Sequence, residues 1–215
     1  MRYIILFSLI ALAVFAAHAQ SVPMIGPSVS FGMHGNLGLV SLPGPEVNGS
    51  TPLDEVYGLG YGGGVHFDVE FVSVALRISA DYTTFSPDDA NYQKALAGLA
   101  GSVASDFTIE GGRINIISAN VNGKLPILPL PFVSPYITGG VGFARINADA
   151  SEISFQGAPS ATYPGFSSGT STAINAGAGV DLDLFLSLFV EAKYTWIFAE
   201  GQTTNFVPIS LGINF

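Results

Sequence analysis

The sequence predicts an all-β protein in which eight antiparallel strands, connected up and down, close into a transmembrane β-barrel. Three observations lead to this fold class. Apolar residues recur at every second position in eight segments, long and short connections alternate between these segments, and aromatic residues gather near the segment ends. An even number of strands is what closure of an up-and-down antiparallel barrel requires.

The eight segments are defined by apolar residues that share one phase and that we expect to face lipid. They span residues 29–39, 59–69, 74–82, 107–125, 137–143, 174–182, 188–196 and 207–215. The fourth segment is irregular, because Ile114 and Ile116 are off the phase shared by Ile109 and Ile117. A β-bulge at Gly111-Gly112 would explain this slip.

The connections between the segments fall into two classes of length. Long ones lie near 40–56, 86–106 and 149–171, short ones near 71–73, 126–131 and 185–186, and a moderate one over 199–205. Bacterial outer-membrane barrels have long outer loops and short periplasmic turns. A soluble two-sheet sandwich also fits the alternation, but it gives no reason for segregated connections. We therefore expect both termini on the periplasmic side.

The N-terminus predicts a signal peptide over residues 1–19, followed by a mature barrel domain over residues 20–215. Arg2 precedes an apolar run, and Ala17-His18-Ala19 has the small residues that signal peptidase requires. The run is shorter than the roughly 20 residues of a membrane-spanning helix. Cleavage would remove one of seven Lys and Arg residues and none of sixteen Asp and Glu, leaving a net charge of 6 − 16 = −10.

The charge balance and the lack of cysteine exclude several classes of function. A strongly acidic chain offers no basic patch for nucleic acid. With 0 cysteines, disulfides and cysteine-based metal sites are excluded, and we expect no cofactor and no metal.

Charged residues on the inward phase are the main candidate site. They are Asp68, Glu70, Arg77, Asp81, Lys124, Asp181, Asp183, Glu191 and Lys193. Both signs are present, and a buried charge is costly unless it is paired, so we interpret them as a structural lumen charge network. A catalytic or ion-conducting set is the alternative. Acids outnumber bases, so some carboxylates must face water or share protons.

Two other groups of inward residues admit a functional and a structural interpretation. The glycines at 58, 60, 62, 63 and 64 lie at strand period, without the Lys and helix of a nucleotide loop. We expect them to make room for larger side chains in a narrow barrel. His34 and His66 could serve a barrel enzyme that modifies lipid A, but His66 lies at the periplasmic end of its strand, so we expect both to be structural.

Residues 88–104, in the second long connection, predict a short amphipathic helix over the barrel mouth or along the lipid interface. Asp88 or Asp89 can cap it. Its apolar face would comprise Tyr92, Leu96, Leu99 and Val103. An irregular loop is the alternative.

The C-terminal segment resembles the closing-strand signal that the barrel-assembly machinery reads in bacterial outer-membrane proteins. Its alternating residues are Val207, Ile209, Leu211, Ile213 and Phe215. The stretches PYITGGVGFAR at 135–145, NAGAGVD at 175–181 and FVEAKY at 189–194 resemble strands of the small OmpA/OmpX/OmpW-type barrels. The resemblance implies the fold and an outer-membrane location, and implies function weakly. The chain ends on the last strand, so we expect no peptidoglycan-binding domain.

These observations lead to one functional expectation and two alternatives. We expect a non-enzymatic, monomeric outer-membrane barrel with a structural or surface-interaction role located in its long acidic loops. Its partners would be outer-membrane lipid and lipopolysaccharide, and the barrel-assembly machinery during biogenesis. The main alternative is a porin-like narrow pore or conduit for small solutes, and the other is a barrel enzyme.

Overall fold

The computed structural model describes residues 27–41, 56–71, 74–100, 107–128, 132–155, 160–183, 185–199 and 202–215. The predicted signal peptide therefore lies outside the described residues, as do parts of the long connections. No helix in the described part of the chain is long and apolar enough to cross a membrane.

The described chain forms a closed antiparallel barrel with additional elements at one end. The elements are β1 (Ser28–Ser41), β2 (Gly60–Glu70), β3 (Ala75–Phe85), α1 (Asp89–Ala100), β4 (Phe107–Gly111), β5 (Ile114–Pro126), β6 (Val133–Ala148), β7 (Ser151–Phe155), β8 (Ala161–Tyr163), β9 (Phe166–Ser167), β10 (Ser171–Asp183), β11 (Ser187–Ala199) and β12 (Gln202–Asn214). Eight strands form the barrel in the order β1-β2-β3-β5-β6-β10-β11-β12, and β12 pairs again with β1. The predicted fold class is confirmed.

The barrel strands alternate between an exposed apolar face and a buried inward face. Val141 is 59 % exposed and Leu211 is 61 % exposed, whereas the inward Asn122 and Ser210 are 0 % and 3 % exposed. A continuous apolar outer band of this kind suits lipid and would be unfavourable in water. The predicted phase of the outward residues is therefore correct in these strands.

The fourth predicted strand is wrong, because it is two separate strands, β4 and β5. Gly111 and Gly112 between them have φ angles of +84° and +70°, a left-handed conformation that favours glycine at both positions. The result is a break rather than a β-bulge, and β4 joins a different sheet. Ile114 and Ile116 are the inward residues of β5, and each is 2 % exposed.

A small three-stranded sheet, ordered β4-β7-β8, is formed by the second and third long connections. Phe107 and Phe155 are register partners whose ring centroids lie 5.1 Å apart. The predicted helix is present as α1 and packs against β4. Asp88 caps it, because its Oδ1 accepts a hydrogen bond at 3.0 Å from the backbone N–H three residues on. Leu99 and Val103 lie outside the described side chains.

The connection between β11 and β12 is shorter than the sequence predicted. Ala199 pairs with Gln202 across the strands, so only two residues separate β11 from β12 where a moderate loop was expected over 199–205. The three long connections and this short one lie at the same end of the barrel. We call it the long-loop end, and the opposite end the short-turn end.

Inward side chains divide the lumen into two chemically different halves. The apolar half, toward the long-loop end, comprises Val40, Phe85, Ile114, Ile116, Ala144, Ile146, Ala173, Ile197 and Phe206. The polar half, toward the short-turn end, comprises His34, His66, Asp68, Arg77, Asp81, Lys124, Tyr136, Asp181, Glu191 and Lys193. The sequence predicted the polar half only.

Candidate functional site in the barrel lumen

Arg77 is the central cation of the polar half. Its Nε donates to Asp68 Oδ1 at 2.8 Å, and its Nη2 donates to Oδ2 at 2.7 Å. The two residues are direct register partners on β3 and β2, and their side chains are 2 % and 1 % exposed. Two parallel N–H···O bonds are the strong, orientation-specific form of this ion pair. The guanidinium also lies 4.4 Å from the ring centroid of Phe189.

Glu191 links Arg77 to the opposite wall of the barrel. Its Oε2 lies 3.9 Å from Arg77 Nη1 and accepts a hydrogen bond from the Tyr136 hydroxyl at 3.1 Å. Its Oε1 lies 2.9 Å from Lys193 Nζ. Residues from β3, β6 and β11 thus meet at one buried carboxylate, which satisfies the requirement that a buried charge be paired.

A second ion pair lies close to the first. Lys124 Nζ donates to both oxygens of Asp181 at 3.1 Å and lies 4.2 Å from the ring centroid of Tyr136. Tyr136 therefore contacts both ion-pair groups, through its hydroxyl in one case and its ring face in the other.

The structure brings the two histidines together, which the sequence interpretation did not foresee. His34 Nδ1 lies 3.4 Å from His66 Nδ1, and His34 Nε2 lies 2.6 Å from Asp81 Oδ1. His66 Nε2 lies 2.7 Å from Asn214 Oδ1. The register of β1 against β2, which pairs Gly32 with His66, is the signal that would have predicted the pairing.

Seven of the nine predicted charges thus occupy the polar half, and two do not. Glu70 and Asp183 are exposed at the short-turn rim. Each accepts a hydrogen bond from a nearby serine hydroxyl, at 3.0 Å from Ser28 and 2.8 Å from Ser187. The expected surplus of carboxylates is accommodated in part at this rim.

Three of the five predicted space-making glycines fit that role. A Cβ added to Gly60 would lie 2.4 Å from the Phe85 ring, and Gly62 and Gly64 are similarly crowded. Gly58 has open space around it. Gly63 lies on the outward phase, where the prediction was wrong.

The two halves of the lumen leave little free space between them. A cavity of about 20 Å³ lies at their junction, lined by Asn120, Asn175 and Lys193 on one side and by Ile116 and Phe206 on the other. This volume holds about one water molecule. Within the described ranges, no three His, Asp or Glu side chains are placed to hold a metal ion.

Four of the predicted assembly residues lie on β12, with Ile209 and Leu211 exposed to the lipid side, and Phe215 directly follows the strand. The terminal Phe215 pairs with Phe31, through N–H···O bonds of 2.7 Å and 3.2 Å. Hydrogen bonding between the first and last strands therefore continues to the last residue. The role of these residues in assembly stays a prediction.

Tyr57 connects separate segments of the chain at the long-loop end. Its hydroxyl donates to the backbone oxygen of Gly112 at 3.0 Å, and Tyr57 forms a bridge with Pro87. Burial, with a smaller contribution from Tyr92, raises the pKa of Tyr57 to about 12. The segment that precedes β2 is thereby hydrogen-bonded to the Gly111-Gly112 break that precedes β5.

This combination of a closed eight-stranded barrel, an apolar outer band and a filled polar lumen defines a small transmembrane β-barrel. The chain matches the model of the outer membrane protein beta-barrel domain over residues 7–215. It belongs to that family, and its location is the bacterial outer membrane.

Solved structures of small outer-membrane barrels are similar in fold. Neisserial surface protein A is 13 % identical, with a TM-score of 0.54, 88 % of this chain covered and 97 % of the other. Ail, the attachment invasion locus protein of Yersinia pestis, is 16 % identical, with a TM-score of 0.45 and coverages of 89 % and 100 %. The N-terminal barrel domain of Pseudomonas aeruginosa OprF is 14 % identical, with a TM-score of 0.43 and coverages of 88 % and 99 %. No curated protein matches the chain.

Proposed function

We propose that this protein is a closed, non-enzymatic outer-membrane barrel whose role is structural or is exerted at the surface through its long-loop end. The observation that carries the proposal is that side chains fill the lumen in both its apolar half and its polar half. A solute would have to pass both the apolar half and the ion-paired polar half, and the cavity at their junction measures about 20 Å³.

The apolar half opposes the passage of ions. Phe85 and Ile197 are 0 % exposed, and the Phe85 and Phe206 rings pack edge to face at 5.8 Å. Among the described residues, this layer offers an ion no charged partner, only the inward hydroxyls of Thr83, Ser171 and Thr204. An ion would therefore lose most of its hydration there without compensation by an opposite charge. A pore needs a wetted path, and an apolar constriction blocks such a path even before steric closure.

The polar half supports a structural role for its charges. Arg77, Glu191 and Lys193 are used in contacts to one another or to Asp68. Charges that serve conduction or catalysis need access to a solute, whereas these side chains are at most 8 % exposed. Together with the pair of Lys124 and Asp181, these ion pairs link five strands, β2, β3, β5, β10 and β11, which stabilises closure.

The surface role would belong to α1 and the small β4-β7-β8 sheet. Glu110 and Glu152 are register partners on one face of that sheet, and both are exposed. Like charges directly opposite each other weaken strand pairing, so this acidic face is not there for stability. Recognition of a partner is a reason to retain it.

Solute flux into proteoliposomes tests the proposal against the pore alternative. Vesicles containing the purified barrel are expected to swell in a monosaccharide no faster than empty vesicles, whereas vesicles with an open porin swell rapidly. Swelling that increases with the amount of barrel would contradict closure.

A further inference from the structure

The outward face of the barrel carries one charged residue that the lumen network does not use. Within the eight described barrel strands, Arg145 on β6 is the only charged side chain on the outward phase. It follows Phe143, which is 61 % exposed, and its register partner is the outward Ile117 of β5. An arginine on the lipid face is unfavourable at the midplane and nearly neutral at the interface.

Arg145 lies at the edge of the apolar band. Outward residues are apolar from Ile127, which directly follows β5, to Ile117, about 34 Å of chain at 3.4 Å per residue. A strand tilt of 35–45° reduces this to roughly 26 Å of membrane depth, the height of the apolar band in such barrels. Arg145 is therefore at the level where lipid headgroups meet the long-loop end.

Only the Nε of the Arg145 guanidinium has hydrogen-bond partners among the described residues. Its Nε donates to Ser167 Oγ at 2.9 Å and to Asn147 Oδ1 at 3.2 Å. Among the described residues, neither Nη group has a partner, and no carboxylate pairs with Arg145. The four remaining N–H groups form the planar fork that binds a phosphate with two parallel hydrogen bonds.

Two amides on the same outward phase, Asn147 and Asn115, provide further donors. Asn147 must offer its oxygen to Arg145, because the Nε can only donate, so its NH₂ group is left to donate elsewhere. Asn115, the register partner of Asn147, accepts from the Tyr82 hydroxyl at 2.8 Å through Oδ1. Each of the two amide oxygens thus already accepts one hydrogen bond, whereas neither NH₂ group donates one to another described residue. An excess of available donors favours an anion.

We propose that Arg145, Asn147 and Asn115 form a binding site for the phosphate of a membrane lipid in the leaflet at the long-loop end. Ser167 positions the guanidinium, and Tyr82 positions the Asn115 amide. The acyl chains would lie along the apolar outer face beside Phe143. Asp149 is the nearest acidic neighbour in the register. Its backbone N–H donates to the Arg113 oxygen at 2.8 Å, and both side chains are exposed.

Native mass spectrometry of the barrel in detergent micelles tests the proposal. The probe is dipalmitoyl phosphatidic acid, and dipalmitoylglycerol is the comparison lipid with the same chains and no phosphate. We expect Arg145→Gln to weaken retention of the phosphatidic acid about tenfold, as loss of a charge-assisted pair implies, and to leave dipalmitoylglycerol unchanged. The matched control, Lys94→Gln, removes the same charge from α1 and is expected to have no effect.

Two outcomes would overturn the proposal. One is equal loss in the Arg145→Gln and Lys94→Gln variants, which would indicate general charge attraction. The other is displacement of phosphatidic acid by inorganic phosphate at equal concentration, which would indicate a site for free anions. An unchanged unfolding midpoint in Arg145→Gln is expected, and it separates lipid binding from a merely structural contact to Ser167.

Discussion

The apolar and polar halves close the same lumen by different physical means. The apolar half fills its volume with side chains such as Phe85 and Ile197, which need only shape complementarity. The polar half fills its volume with charges, each of which needs a partner of defined geometry, as in the pair of Arg77 with Asp68. Loss of one side chain should therefore leave a void in the first half and an unpaired buried charge in the second.

The largest effect is expected from Arg77→Met in the polar half. It leaves Asp68 buried without its partner and removes one neighbour of Glu191. Breaking a buried pair by removing one partner costs about 4 kcal/mol of unfolding free energy. Denaturant unfolding of the barrel in micelles measures this loss.

A second variant isolates the charge from the packing. Adding Asp68→Asn to Arg77→Met removes the orphaned carboxylate, while Glu191 keeps Lys193 and Tyr136. The double variant should recover part of the lost stability. If the losses of unfolding free energy from Arg77→Met and Asp68→Asn simply add, the unpaired Asp68 carboxylate is not the cause of the destabilisation.

A smaller loss is expected from Phe85→Ala in the apolar half. The side chain is wholly buried, and removal of a buried phenylalanine costs about 3 kcal/mol through lost burial and the cavity left behind. Xenon or a small apolar solute should partly restore the unfolding midpoint, because the void is apolar. An unfolding midpoint unchanged from the wild type would show that the packing of Phe85 does not stabilise the barrel.

Glycine substitutions test packing in the apolar half from the opposite direction. Gly60→Ala places a Cβ 2.4 Å from the Phe85 ring and should destabilise the barrel by about 2 kcal/mol through overpacking. Gly58→Ala is the matched control, because nothing lies within 4 Å of its added Cβ. Similar midpoints for the two variants would exclude the steric role of Gly60.

The smallest effect is expected at the rim, from Tyr57→Phe. It removes the hydrogen bond to Gly112 and should cost about 1 kcal/mol. Because burial raises the pKa of Tyr57 to about 12, its contribution is complete below pH 10 and is lost as the pH rises through 12. Ultraviolet titration should show one fewer tyrosinate forming near pH 12 in the variant. An identical alkaline titration would contradict this assignment.

The sequence predicted the outer face of the barrel better than its lumen. Apolar residues at every second position, as around Val141 and Leu211, indicate the lipid-facing side of a strand, because every outward position in the band must be apolar. Inward positions can be either polar or apolar, so the pattern gave no sign that Ile114 and Ile116 fill the apolar half. The break at Gly111 depends on backbone angles that alternation does not encode.

The site was predictable as a set of charges and not as a set of partners. The strand period identified Arg77, Lys124 and Glu191 as inward, but their partners depend on the register between strands. The contact of His34 with His66 illustrates this, because the residues lie 32 positions apart in the chain. The register between the paired strands β1 and β2 is what brings them together.

Single-channel recording in a planar bilayer tests the central claim, closure of the lumen, most directly. The wild-type barrel should insert without producing conductance steps, since both halves exclude a continuous water path. Steady ohmic steps from the wild-type protein would contradict the account, because they require an open lumen through the apolar and polar halves alike.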